Sequence, residues 1–314
     1  MNQHTPLRTG GSLLERAAEL YGFAPARTPV PAADPIQAPV PVAAPAAEPE
    51  TAAAKAEAPA PQPKLRPARA AAAARAPGSA EVDREALREA GFIEPDAPGG
   101  GLAEEFRIVK RQLLLGLGGG ARARTILVCS ARPDEGKTFC AVNLALSLAA
   151  EREREVLLID ADFPKPEILS ILGLEGGAGL VDAIADPSVD AEALVVRTDV
   201  EGLSVLPAGR HVPNITELLA SERTRHVLDR LAEANPRRIL IFDAPPALLA
   251  SPAAVLAGHA GQVLLIVRAD QTTEADLREA ATLLSACSDI RLLLNGAGFA
   301  ATGRRFGSYY GYGQ

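Results

Sequence analysis

From Thr125 onward six short apolar runs recur with helical patterns between most of them: Thr125 to Cys129, Val156 to Ile159, Leu203 to Leu206, Ile239 to Phe242, Gln262 to Val267 and Leu292 to Leu294. Continuous aliphatic runs fit strands buried on both faces. Regular alternation of strand and helix is the pattern of a doubly wound, mostly parallel sheet with helices on both sides. An α/β fold of this kind is therefore expected, with ligands bound at the carboxyl ends of the strands. The longest helical pattern runs roughly from Thr216 to Ala234 and carries Leu218, Leu219, Val227, Leu228 and Leu231.

The first run breaks into a turn and reopens as a helix. Ala131, Arg132, Pro133, Asp134 and Glu135 form the turn; Gly136, Lys137, Thr138 and Phe139 open the helix, and Asn143, Leu144, Leu146 and Leu148 continue it. A helix N-terminus offers unpaired N–H groups and a positive dipole end, so this turn reads as a phosphate-binding loop. Lys137 adds charge and Thr138 supplies a hydroxyl for Mg²⁺. The usual pattern is G-x-x-x-x-G-K-[ST]; here Ala131 stands at the first glycine position.

Two further runs end in acids. Val156 to Asp162 closes on Asp160 and Asp162, spaced so that an extended chain turns both to one side, and Ile239 to Pro246 contains Asp243 at the end of its run. A lone acid after a strand is most often a cap or a loop residue. Three beside a phosphate loop can hold Mg²⁺ and orient an attacking oxygen.

The core must be aliphatic and alanine-rich, because only 4% of residues are aromatic and none is Trp. A formal charge of -7 argues against sequence-independent nucleic-acid binding, although a local basic patch stays open. Cys129, Cys140 and Cys287 lack C-x-x-C spacing and read as reduced, small apolar residues of a cytoplasmic protein. No apolar signal segment follows Met1, and no run approaches the length of a membrane span.

Four regions are expected. Residues 1–23 hold a short amphipathic helix opened by the capping box Ser12-Leu-Leu-Glu15, which either docks on a partner or frays. Residues 24–80 contain half of the chain's 26 prolines and read as a disordered Ala/Pro-rich linker. Residues 81–303 form the folded domain, with an entry helix over Glu81 to Gly91 and an amphipathic helix over Leu102 to Leu115. The second helix is expected to bury Phe106, Val109, Leu113 and Leu102. Glu104, Arg107 and Lys110 share its other side, either as an exposed face with local ion pairs or as a contact with another subunit. Residues 304–314 form a flexible tail in which Tyr309, Tyr310 and Tyr312 alternate with glycines, free to enter another active site or simply to fray.

Over roughly residues 93 to 314 these motifs resemble the bacterial tyrosine kinases (BY-kinases), P-loop autokinases of exopolysaccharide synthesis. The carrying features are Ser130 to Thr138, Leu158-Ile-Asp-Ala-Asp162, Asp243-Ala-Pro-Pro246 and the tyrosine cluster. Ala103 to Lys110, Ser12 to Ala17 and Tyr309 to Tyr312 are most similar to the exosortase-associated members. The resemblance implies a deviant-Walker P-loop NTPase fold and a kinase that uses ATP and Mg²⁺. Lys137 contacts the β and γ phosphates; Thr138, Asp160 and, through water, Asp243 take the metal; Asp162 belongs with Asp160 to the tyrosine-activating pair; Asn295 contacts adenine. Tyr309, Tyr310 and Tyr312 are then autophosphorylated in trans.

The resemblance further implies a homo-oligomer through Glu104, Arg107 and Lys110, where Lys110 replaces the family's last arginine. It also implies a separate membrane polysaccharide co-polymerase as activator, a cognate tyrosine phosphatase, and a cytoplasmic place peripheral to the inner membrane through that partner. Phe163-Pro-Lys-Pro166 departs from the commoner Leu-Arg-Arg-Pro. Two readings compete with the kinase. One is an ATP-switched scaffold similar to septum-placing ATPases, which carry a lysine where this chain has Arg132. The other is a regulator that binds nucleotide without transferring phosphate.

Overall fold

The computed structural model describes residues 79–95 and 99–297. The short N-terminal helix, most of the linker and the tyrosine tail expected from the sequence lie outside the described residues.

Aliphatic runs become the strands. In chain order the elements are α1 (Arg84–Glu89), α2 (Gly101–Leu115), β1 (Thr125–Ser130), α3 (Lys137–Ala149), β2 (Glu155–Asp160), α4 (Ile168–Leu172) and α5 (Leu180–Ala185). They continue as β3 (Val196–Arg197), β4 (Leu203–Leu206), α6 (Ile215–Leu219), α7 (Glu222–Glu233), β5 (Arg238–Asp243), α8 (Pro252–Ala257), β6 (Gln262–Arg268), α9 (Glu274–Leu283) and β7 (Ile290–Asn295). Strand order across the sheet is β3-β4-β2-β5-β1-β6-β7, parallel except for the β3–β4 pair. β1 therefore lies between β5 and β6, where consecutive crossovers leave in opposite directions, and the loop after it sits at the switch point of the sheet.

Alternate residues of the strands feed two cores. Leu127, Leu157, Ile159, Leu240, Phe242 and Leu265 pack on the side of α5, α7, α8 and α9. Ile126, Val128, Leu158, Ile241 and Ile266 pack on the side of α1 to α4. α3 is buried along nearly its whole length, from Cys140 to Ala149, because α2 covers its outer face. This explains why its sequence is apolar all round rather than striped.

Three expectations change. The long pattern over Thr216 to Ala234 is two helices, broken where Ser221 takes an N-cap conformation and its hydroxyl accepts the Thr224 N–H. The entry helix begins only at Arg84, after Asp83 caps it through the Ala86 N–H. Ala80, expected in the linker, already pairs with the outer side of β3: its N–H donates to the Arg197 carbonyl at 2.8 Å, and its carbonyl accepts the Asp199 N–H at 2.9 Å. Asp199 extends this anchor by accepting from the Val82 N–H and pairing with Arg84 at 2.8 Å.

Candidate active site

β1 delivers the chain to the loop at its C-terminal end. The loop turns on two left-handed residues, Asp134 (φ 60°) and Gly136 (φ 90°), and Gly136 is the N-cap of α3. Only glycine fits there, because a Cβ would run into the Asn295 side-chain amide as well as strain the backbone. Ala131 at the first glycine position is accommodated without difficulty. It is fully buried, and its carbonyl accepts the Leu248 N–H at 3.2 Å.

β2 and β5 are adjacent and parallel, with Asp160 in register with Asp243. Register partners in a parallel pair project to the same face, so strand pairing itself brings two carboxylates together beside the loop. Asp243 is completely buried, and neither of its oxygens has a hydrogen-bond partner among the described residues; Asp160 Oδ1 is likewise unpartnered. Asp160 Oδ2 accepts the Ile168 N–H at the start of α4 at 3.1 Å. Burial pushes both carboxyls up to about 7, against the opposing pull of the Ile168 N–H on Asp160 and of Lys137 on Asp243.

Lys137 lies inside this group, its Nζ 2.5 Å from Asp162 Oδ2. Burial draws the ammonium down, but Asp243 and Asp162 outweigh it and its pKa ends above the ordinary value. Lys137 stays charged. Thr138 follows on the same turn, with Lys137 Nζ 3.3 Å from its hydroxyl. Phe139 packs against Phe92, with ring centroids 4.9 Å apart and planes tilted by 43°.

The unpartnered oxygens bear on the metal. Three orphaned buried carboxylate oxygens are costly unless something positive takes them up. No group of three His, Cys, Asp or Glu ligands arranged for an all-protein metal site occurs among the described residues. Mg²⁺ does not require one, since it keeps several waters and takes one or two carboxylates beside substrate phosphates. The donor set therefore fits Mg²⁺ held by Thr138 with Asp160 and Asp243.

Asn295, at the end of β7, donates its side-chain amide to the Glu135 carbonyl at 2.9 Å. Arg132 is mostly exposed and pairs with Asp276 of α9 at 2.9 Å. Sequence reasoning missed Thr272, whose hydroxyl donates to the Glu135 carboxylate from across the β6–α9 turn, and the loop-facing role of Asp276. Their only local signal was the capping box Thr273 to Asp276, which marks a helix start and says nothing of the loop.

The candidate interface residues do not share one surface. Glu104 and Arg107 pair on the outer face of α2. Lys110, expected beside them, is 5% exposed: its Nζ donates to the Ser147 carbonyl at 2.8 Å and pairs with Glu151 at 2.8 Å. Its stem packs inward while the ammonium caps the end of α3, a placement that a residue count along the helix cannot distinguish from a surface lysine.

No family model matches the chain. Its sequence is 31% identical over 194 residues to tyrosine-protein kinase YwqD of Bacillus subtilis, covering 61% of this chain and 76% of the relative. The chain belongs to the bacterial tyrosine-protein kinase family. This family member is also 30% identical over 194 residues to tyrosine-protein kinase wzc of Salmonella typhimurium, covering 62% of this chain but 26% of that relative, so it spans about a quarter of the larger kinase. Among solved structures, the kinase domain of Escherichia coli tyrosine kinase ETK superposes with a TM-score of 0.60 at 26% identity, over 70% of this chain and 85% of that domain. The fold is thus that of a bacterial tyrosine kinase domain of the P-loop class.

Proposed function

We propose that this kinase transfers the γ-phosphoryl group of ATP in trans to Tyr309, Tyr310 and Tyr312 of a second copy, and that the phosphorylated state of this tail regulates exopolysaccharide synthesis. The observation that carries the reading is the convergence of Lys137, Asp160, Asp162 and Asp243 at the switch point of the sheet, beside a loop that ends in a helix N-terminus.

Each residue has a task set by its surroundings. The α3 N-terminus and Lys137 receive the β and γ phosphates. Thr138 and Asp160, with Asp243 through water, would hold Mg²⁺, which would neutralise charge on the transferring phosphoryl group. Asp162 already accepts a hydrogen bond from Lys137 and is the carboxylate that receives the proton of an entering phenol as its oxygen attacks phosphorus. Asn295 steadies the loop through the Glu135 carbonyl and is proposed as the adenine contact. The products are ADP and a tyrosine phosphate ester, which a separate phosphatase reverses.

The partners follow from the same reading. Glu104 and Arg107 remain candidates for contact between copies, whereas Lys110 contributes through the stability of α2. No helix among the described residues is long and apolar enough to cross a membrane; the proposed activating partner is a membrane polysaccharide co-polymerase on a separate chain. Intact-mass spectrometry before and after Mg-ATP, beside Lys137→Ala, tests the proposal. Phosphates confined to the peptide holding Tyr309 to Tyr312 and absent from the lysine variant are expected. An unmodified tail with nucleotide bound, even after the membrane partner is added, would sink it.

A further inference from the structure

A carboxylate inside a phosphate-binding loop opposes its own ligand, yet Glu135 sits there and is only 2% exposed. Both of its oxygens are occupied. Oε2 accepts the Arg132 backbone N–H at 2.8 Å, and Oε1 accepts the Thr272 hydroxyl. The Thr272 oxygen in turn accepts the Arg268 backbone N–H at 2.8 Å, so its single proton is committed to Glu135. Two more bonds tie the same stretch to the same side of the sheet: Asn295 to the Glu135 carbonyl, and Arg132 to Asp276.

We propose that Thr272 is a positioning residue for phosphate binding, holding the Glu135 carboxylate on the Arg132 amide so that the loop keeps its open shape and the acid stays turned away from the phosphates. The inference rests on the reading of residues 131–138 as the nucleotide site. Without the hydroxyl, one oxygen of a buried carboxylate has no donor, and the group relieves this by swinging toward water. An acid released to the phosphate side of the loop repels a nucleotide by its charge.

The test is Mg-ADP binding by calorimetry on the full chain, with thermal melting of every variant. Thr272→Val, which keeps the shape and removes the hydroxyl, is expected to weaken binding about tenfold, whereas Thr272→Ser stays within about twofold of wild type. In a Glu135→Gln background the valine substitution is expected to cost less than about twofold, because no charge remains to misplace. In kinase assays with ATP varied from below to well above KM, the loss appears in KM and leaves kcat nearly unchanged.

Wild-type binding by Thr272→Val, equal loss in Thr272→Ser, or full loss of binding in both backgrounds would overturn the proposal. Thr272→Ala serves the same comparisons should the valine variant fail to fold. Failure of the folded wild type itself to bind Mg-ADP would instead overturn the nucleotide-site reading, and the inference with it.

Discussion

Asp160 and Asp243 are register partners on adjacent parallel strands, both buried, and three of their four carboxylate oxygens have no hydrogen-bond partner among the described residues. Desolvation is the leading cause of the raised pKa in both cases; the charge of Asp162 raises both, and that of Asp160 also raises Asp243. Because the folded pKa is raised to about 7 from an ordinary 3.8, the folded protein holds these protons more tightly than the unfolded chain does. The stability they contribute is therefore complete below about pH 4 and is lost as pH rises through 7. For the nucleotide-free protein, Asp243→Asn should raise the melting temperature at pH 8 by roughly 2–6 °C and change it much less at pH 4. Equal shifts at the two pH values would contradict the assignment.

Lys137 and Asp162 give a second expectation. Replacing Asp162 by Asn removes the acceptor for the phenolic proton and frees Lys137 from its carboxylate partner. Phosphotyrosine formation should fall by about 10²–10⁴-fold, while Mg-ADP affinity is kept or improved. Parallel calorimetry and radiolabel transfer would separate the two effects, and a matched loss in both would assign Asp162 to binding instead.

The burial of Lys110 separates it from its sequence neighbours. Lys110→Ala leaves the Ser147 carbonyl without its lysine donor and Glu151 without its nearer cation. A loss of about 1–3 kcal/mol is expected in urea unfolding. Glu104→Ala and Arg107→Ala, whose ion pair is exposed, should cost less than about 1 kcal/mol. Their effect is expected in sedimentation, as weakened self-association.

Tail phosphorylation should also act on assembly. Each phosphate adds about -1.5 to -2 charges, and several on one tail repel the acidic site and neighbouring copies. After incubation with Mg-ATP, the wild type is expected to sediment as smaller species than a variant in which Tyr309, Tyr310 and Tyr312 are all phenylalanine. Identical distributions would count against this.

The six main strands were legible because each is a largely aliphatic run, a signal that burial imposes on the inner strands, while the edge strand β7 carries such a run although Leu292 and Leu294 are exposed. β3 was not, since its two residues, Val196 and Arg197, carry no period and exist only through pairing with β4. The acids and Lys137 were legible as strand-end and loop residues. Their grouping follows from strand order, which places β5 rather than β2 next to β1. Thr272 and Asp276 were hidden because their link to the loop spans well over a hundred residues and depends on how β6 and α9 meet it. Lys110 misled for a different reason: helical spacing assigns a face, while a long aliphatic stem lets a charged tip reach across to a neighbouring helix.

Ala80 anchors the incoming chain on the outside of β3, and Ala297 leaves just beyond β7, the opposite border of the same sheet. With strands spaced by about 4.8 Å, entry and exit are separated by roughly 30 Å. The described chain thus enters and leaves the kinase fold at opposite borders of one sheet, and a probe fixed near Ala80 and another near Ala297 would report the full width of that sheet.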